Sequence, residues 1–220
     1  MRVEVAPRHS PLWINAAELV RNNFSDLFAA SVMPDPDAFV VLHRDGDDRV
    51  RACTGLSYAA DGEPFFCERY LDGRIEDILS ERLGIPVARD QVIQLGSLAS
   101  RGPGSVIELM RAMTLVMWGM GHRYALMTAT EQLASLVRKL GYGSFVELAE
   151  ASPQRLTAQE RELWGSYYEN APRAGVILVE DADFSRFFTA GFGRYLLTEL
   201  DVTIRDSGAT RDVGVIHAVA

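Results

Sequence analysis

The stretch QVIQLGSLASRGPGSVIE, residues 91–108, decides the fold. Gln91–Ala99 reads as a strand of apolar and small residues. Arg101-Gly102-Pro103-Gly104 reads as a tight loop. Ser105-Val106-Ile107-Glu108 has the pattern of a capping box, in which the serine caps one free amide and the glutamate reaches back to another. A helix from Val106 to Met120 is predicted to follow. Tyr124–Thr130 reads as a second strand. Leu133, Leu136, Val137 and Leu140 give another helix, closed by Gly141 at the usual stop position. In a strand–helix–strand–helix unit the two strands run parallel, so the expected class is α/β (α+β). A glycine-containing loop between a strand and a helix exposes amide groups and the positive end of the helix dipole, which together make an anion site. The spacing is not that of a Walker loop, which places a lysine after its last glycine, nor of GxGxxG, because Gly102 and Gly104 have no third partner. Arg101 stands where it can pair with a phosphate bidentately. A plain Gly-Pro-Gly turn is the competing reading, and a capping box by itself proves no ligand.

Outward from this unit, residues 2–6 alternate like a short strand. Ser10-Pro11 reads as an N-cap with proline at the first helical position, and Ala16, Ala17, Val20, Phe24, Leu27 and Phe28 follow at helical spacing, with an end before Pro34. Ala38–Arg44 and Val50–Ala59 are strand-like runs around Asp45-Gly46-Asp47-Asp48, a hairpin with a longer turn. Ile75, Ile78, Leu79 and Leu83 form a short amphipathic helix stopped by Gly84. Phe145–Ala149 and Ala174–Val179 read as further strands, with a helix starting at Thr157 between them. Phe184–Leu200 is a further aromatic and apolar segment, and Arg205–Asp212 is a loose polar tail.

The chain has 220 residues, 48% hydrophobic, enough for one domain with a sizeable core or a domain plus an appendage. No apolar run reaches the ~18 residues needed to cross a bilayer, and the N-terminus lacks the apolar core of a signal peptide. A cytoplasmic location is the default expectation. A net charge of −8 argues against a general nucleic-acid binder. Cys53 and Cys67 are too few for a disulfide framework and are expected to be reduced and half-buried. His9, His43, His122 and His217 are scattered, so no metal site is expected.

Several residues compete for chemistry. Glu68 lies among Phe65, Phe66 and Tyr70, where a carboxylate can have a raised pKa and act as a base; exposure or pairing with an arginine is the plainer alternative. Tyr167 and Tyr168 follow Trp164 and offer two phenols as proton donors, or else serve as core or lip residues. Met110, Met113, Met117 and Met120 recur at three and four residues and read as a packed helix face. Ser97 and Ser100 have no neighbouring His–Asp partner, so a hydrolase triad is rejected.

Four blocks in order, FFCERYLDGRIEDILS (65–80), QVIQLGSLAS (91–100), YALMTATEQLASLVRKLGY (124–142) and WGSYYENAPRAGVILV (164–179), resemble the bacterial thermostable hemolysin family, over residues 10 to 180. More distantly the layout is similar to acyl-homoserine-lactone synthases and N-acyl amino acid synthases. The resemblance implies a GNAT-like N-acyltransferase domain at 1–180, a mixed central sheet flanked by helices, with a C-terminal extension of unknown role at 181–220. It implies that the strands either side of the glycine loop splay apart to admit a pantetheine arm. Leu98, Ala99, Arg101, Gly102, Gly104 and Ser105 would then hold an acyl-CoA or phosphopantetheine thioester as co-substrate, with no tightly bound cofactor. It places Leu140-Gly141-Tyr142 at the Leu-Gly-aromatic end of the next helix. A small-molecule acceptor of amine type, acyl carrier protein as donor and a homodimer are the partners it admits. Two features depart from the pattern: Gln94 stands where many such enzymes carry a glutamate base, which leaves Glu68 as substitute, and Pro103 removes one amide donor. The family name suggests cell lysis as another function, which the absence of any bilayer-length segment disfavours. A non-catalytic thioester-binding module is the third reading.

Overall fold

The structure, a computed structural model, describes residues 1–60, 62–140, 145–179, 202–205 and 210–212. Strand β1 (Arg2–Pro7) leads into α1 (Pro11–Phe28). Ser10 caps this helix by accepting from the Trp13 amide at 3.3 Å, and Pro11 occupies its first turn, as the sequence predicts. Trp13, Ala16, Val20 and Phe24 are buried at spacings of three and four, each of the larger ones contributing ~1.5–3 kcal/mol of hydrophobic stabilisation.

Strands β2 (Ala38–Arg44) and β3 (Asp47–Ser57) form the hairpin. Its turn is shorter than expected: Arg44 pairs with Asp47, leaving Asp45-Gly46 as a two-residue loop with Gly46 at φ 71°. Gly46 in the left-handed conformation lets the chain reverse within two residues, so strand β3 already begins at Asp47. A 3₁₀ turn at Phe66–Tyr70 and helix α2 (Ile75–Leu83) follow, and α2 ends on Gly84 in the left-handed conformation, φ 68°.

Strand β4 (Val92–Ser100), helix α3 (Pro103–Gly119) and strand β5 (Tyr124–Ala129) form the parallel unit. The capping box expected at Ser105 and Glu108 is absent. The helix starts three residues earlier, with Gly102 as N-cap and Pro103 in the first turn, and the Ser105 amide donates to the Gly102 carbonyl at 3.1 Å. Proline fixes a helical φ and has no amide to satisfy, so it starts the helix ahead of the serine. Helix α4 (Glu131–Lys139), capped by Thr130, is followed by β6 (Phe145–Glu150), α5 (Ala158–Leu163) and β7 (Arg173–Leu178). A capping box does form at α5, where Thr157 and Glu160 serve each other. The expected stop at Gly141, the motif end at Tyr142 and the segment Phe184–Leu200 lie outside the described residues.

The sheet runs β6-β7-β5-β4-β3-β2-β1, continued by β8 (Val202–Arg205) and β9 (Thr210–Asp212). The tail expected to be loose therefore contributes strand: β8 lies parallel to β1 and β9 antiparallel to β8. One face of the sheet carries α3 and α4 over Val40, Leu42, Ile93, Leu95, Ala125 and Met127. The other face carries α1 over Phe39, Val41 and Cys53. Beside it, the Phe66–Tyr70 turn and α2 cover Val92, Tyr124 and Leu126. Cys53 and Cys67 are fully buried free thiols rather than half-buried ones.

Candidate active site in the sheet cleft

β4 and β5 pair through Val92↔Tyr124, Ile93↔Ala125 and Gln94↔Leu126, and there the pairing stops. Beyond Gln94 the two strands part. A cleft of about 650 Å³ occupies the gap and reaches both faces of the sheet. On one face it meets Val106, Met110 and Met113 of α3 and Leu133 and Leu136 of α4. On the other it meets Phe24 and Phe28 of α1 together with Trp164 and Tyr167.

The parting has a local cause. Between Cys53↔Ala99 and Gly55↔Gly96 the register of β4 slips by one residue, a bulge in which Ser97 takes φ 53°. A serine in the left-handed region costs ~1–2 kcal/mol, and neighbouring hydrogen bonds offset it. Thr54 Oγ1 donates to the Gly96 carbonyl at 3.0 Å. The Asn23 amide group brackets Ser100, donating to its carbonyl at 3.1 Å and accepting from its amide at 3.2 Å. Bulges re-aim a strand end, and here the bulge turns Leu98 and Ala99 onto the cleft.

The glycine loop joins Ser100 to Val106, which both line the cleft, but Arg101, Gly102, Gly104 and Ser105 themselves are outside the lining. Pro103 has no amide and the Ser105 amide is taken by the Gly102 carbonyl, so the loop offers fewer free amides than a glycine-containing turn before a helix suggests. The Gly104 amide keeps no intrahelical acceptor. A Cβ built on Gly104 meets nothing within 4 Å. Arg101 is partly engaged: its Nε donates to the Val50 carbonyl at 2.9 Å and its amide to the Arg51 carbonyl at 2.8 Å.

Glu68 is placed otherwise than expected. It is buried, 8% exposed, yet it does not line the cleft. Its carboxylate accepts from the Phe65 amide (2.6 Å), the Ile75 amide (2.8 Å) and both Arg89 terminal nitrogens (3.0 Å each). Burial alone would raise its pKa, but the Arg89 fork and the two amides outweigh it, so the net shift is downward. A carboxylate held charged by four donors is a poor proton acceptor, which removes the raised-pKa base read from the aromatic surroundings. Arg89 also binds Glu76 (2.8 Å) and lies 4.6 Å over the Phe65 ring. The network fixes the Phe66–Tyr70 turn, and the turn is docked on β4 by the Cys67 amide, which donates to Gln94 Oε1 at 2.7 Å.

The two tyrosines separate. Tyr167 lines the cleft, and its hydroxyl shares a hydrogen bond with Thr128 Oγ1 on β5 at 3.2 Å. Burial pushes its pKa up to about 12. Tyr168 is outside the lining and bonds the Tyr70 hydroxyl at 2.5 Å. Cys67 lines the cleft with its thiol pushed up to about 12 by burial. Met110, Met113 and Met117 pack in the core as expected, and the first two also wall the cleft, a role their periodicity does not reveal.

A family model described as "Thermostable hemolysin" matches residues 6–182. The chain belongs to the thermostable hemolysin family. No curated protein matches it by sequence. Among solved structures this family member is similar to the CoA-dependent acyl-homoserine lactone synthase BjaI with MTA, at 10% identity, TM-score 0.59, with 96% of this chain and 95% of that one covered. It is similar to another such synthase, MesI, at 15% identity, TM-score 0.53, covering 88% and 96%. An agmatine N-acetyltransferase variant matches at 14% identity, TM-score 0.52, covering 80% and 98%. At these identities the likeness concerns the fold, and the thermostable hemolysin chain has the GNAT-like one. Among its described residues no helix is long and apolar enough to cross a membrane.

Proposed function

We propose that this protein is an N-acyltransferase that moves an acyl group from a CoA or carrier-protein thioester to a small amine, working in the cytoplasm. The observation that carries the reading is the end of β4–β5 pairing at Gln94↔Leu126, with a cleft through the gap and a helix N-terminus at its edge. An open strand gap offers backbone groups to an extended pantetheine arm, and the start of α3 offers its dipole and the Gly104 amide to the phosphate. Leu98 and Ala99 would flank the arm, with Gly102, Ser105 and Arg101 around the phosphate. The structural relatives support the fold of this reading, and two of them are described as CoA-dependent.

In the proposed reaction the neutral amine attacks the thioester carbonyl carbon. The C–N bond forms, the C–S bond breaks, and one amine proton ends on the thiolate, giving amide and free thiol. Tyr167, protonated across the neutral range and facing the cleft, is the residue we assign to protonating the thiolate, and the proton released by the amine restores its phenol. Gln94 and Thr128 would orient the thioester where the strands part. Tyr168 and Glu68 act on this assignment through packing. Calorimetry with CoA, hexanoyl-CoA and acyl carrier protein tests the donor site, and thiol release on adding an amine tests the transfer. If none of the three binds, the reading falls. Dye release from lipid vesicles by detergent-free protein would instead favour the lytic activity that the family name suggests.

A further inference from the structure

We propose that the acceptor subsite takes an amine with an apolar or aromatic body and no carboxylate. The inference rests on the acyltransferase reading and narrows it to an acceptor class. With the phosphate loop at the α3 edge, the thioester arm enters from the α3–α4 face, and the acceptor is left the opening on the α1 face. That opening is walled by rings. Phe24 lies 5.6 Å from Phe28 and 6.0 Å from Trp164, and Phe28 meets Tyr167 edge-on at 5.3 Å. At the rim stand Leu27 and Met33, 69% and 74% exposed, apolar side chains in water beside a cleft they both line.

The wall is built in advance. The Ser166 amide donates to the Phe28 carbonyl at 2.9 Å, and the Ser31 amide to the Leu163 carbonyl at 2.8 Å. Between these bonds Gly165 takes φ 50°, and a Cβ there would stand 2.1 Å from the Phe28 oxygen. The turn carrying Trp164 is thus seated against the end of α1 with no room for any other residue.

Charge completes the argument. Among the described residues lining the cleft, Asp35 is the sole charged side chain. The nearby cations are engaged: Arg8 Nε donates to Asp35 at 2.9 Å, and Arg69 pairs with Glu160 while covering the Phe66 ring at 5.0 Å. A carboxylate carried into this opening would lose its water against rings with no unpaired cation among the described lining residues to receive it. An amine with an apolar body does not suffer that penalty, and the ring faces favour its cationic form on approach.

The test compares 2-phenylethylamine with phenylalanine, which differ by one carboxylate. Calorimetry on the full chain without thioester is expected to show the amine binding about tenfold or more tightly than the amino acid. Leu27→Arg, at an exposed rim position, should bring phenylalanine to within a few-fold of the amine. Equal or tighter binding of phenylalanine to the wild type, or no binding of either, overturns the proposal. The amine arm needs no acyl transfer. Amine binding without hexanoyl-CoA binding would therefore remove the transferase reading and leave the subsite preference standing.

Discussion

The region around Glu68 and the region around Tyr167 are buried alike, each residue 8% exposed, and they have opposite characters. Glu68 has every lone-pair direction filled by Phe65, Ile75 and Arg89 and no frontage on the cleft. Tyr167 has one hydroxyl partner, Thr128, and stands in the cleft wall. Burial alone therefore does not mark a reactive group. What separates the two is unfilled hydrogen-bonding capacity next to space where a substrate can lie. The first region holds a turn in place, and the second leaves a hydroxyl facing open space, which is why the proposed proton transfer is assigned there.

The comparison breaks most sharply in turnover. Tyr167→Phe is expected to lower kcat by ~10²-fold or more while leaving hexanoyl-CoA affinity unchanged, whereas Tyr168→Phe should leave kcat nearly as it was. Equal losses for the two would mean that Tyr167 contributes only packing. Because the Tyr167 pKa sits at about 12, no falling limb from its ionisation is expected below about pH 11 in the rate profile.

Glu68→Gln is expected to appear as lost stability. It leaves Arg89 buried with Glu76 as its remaining carboxylate, at a cost of ~3 kcal/mol, or roughly 6–12 °C in Tm for a chain of this size. The sign with pH follows from the lowered pKa. The Glu68 contribution is fully present above the unfolded value near 4.5 and fades as pH falls through the lower folded value, so wild type and variant should converge in acid. A large kcat loss at unchanged Tm would return Glu68 to the chemistry.

At the loop, Gly104→Val should weaken CoA binding by ~1–3 kcal/mol, ten- to a hundredfold, with an unaltered melting curve because the added side chain meets open space. The smallest effect is expected from Arg101→Ala. With Nε already on the Val50 carbonyl, its loss should cost CoA affinity a few-fold and flatten the salt dependence. Arg173→Ala, on β7 outside the site, should do neither. Identical salt slopes for the two would take Arg101 out of the phosphate subsite.

Local signals in the sequence carried the parallel β4–α3–β5 unit, the α1 start at Ser10-Pro11 and the glycine stop of α2, because each depends on residues within one turn or one strand. The α3 start was misplaced because two local signals compete: the Ser-x-x-Glu pattern at Ser105 and the proline at Pro103, and the proline wins. For Glu68 the base reading fails and the plainer one, pairing with an arginine, holds; which arginine is not legible, because Arg89 lies 21 residues on. The ring wall was partly visible in Trp164 and the tyrosines after it. Its other half, Phe24 and Phe28, read as an ordinary core face of α1, and nothing in either segment announces the other. The role of Gly165 is likewise invisible until the Phe28 carbonyl is placed beside it.

The bond from Ser166 to the Phe28 carbonyl closes a loop of 138 residues. Contacts of such long sequence separation form late, after the chain between them has lost its freedom. During synthesis the first helix, the hairpin and the glycine loop leave the ribosome well before Gly165 does. The ring-lined opening is thus expected to be the last part of the cleft to assemble. In native-state hydrogen exchange, the Ser166 amide should report that closing step separately from the amides of the central strands.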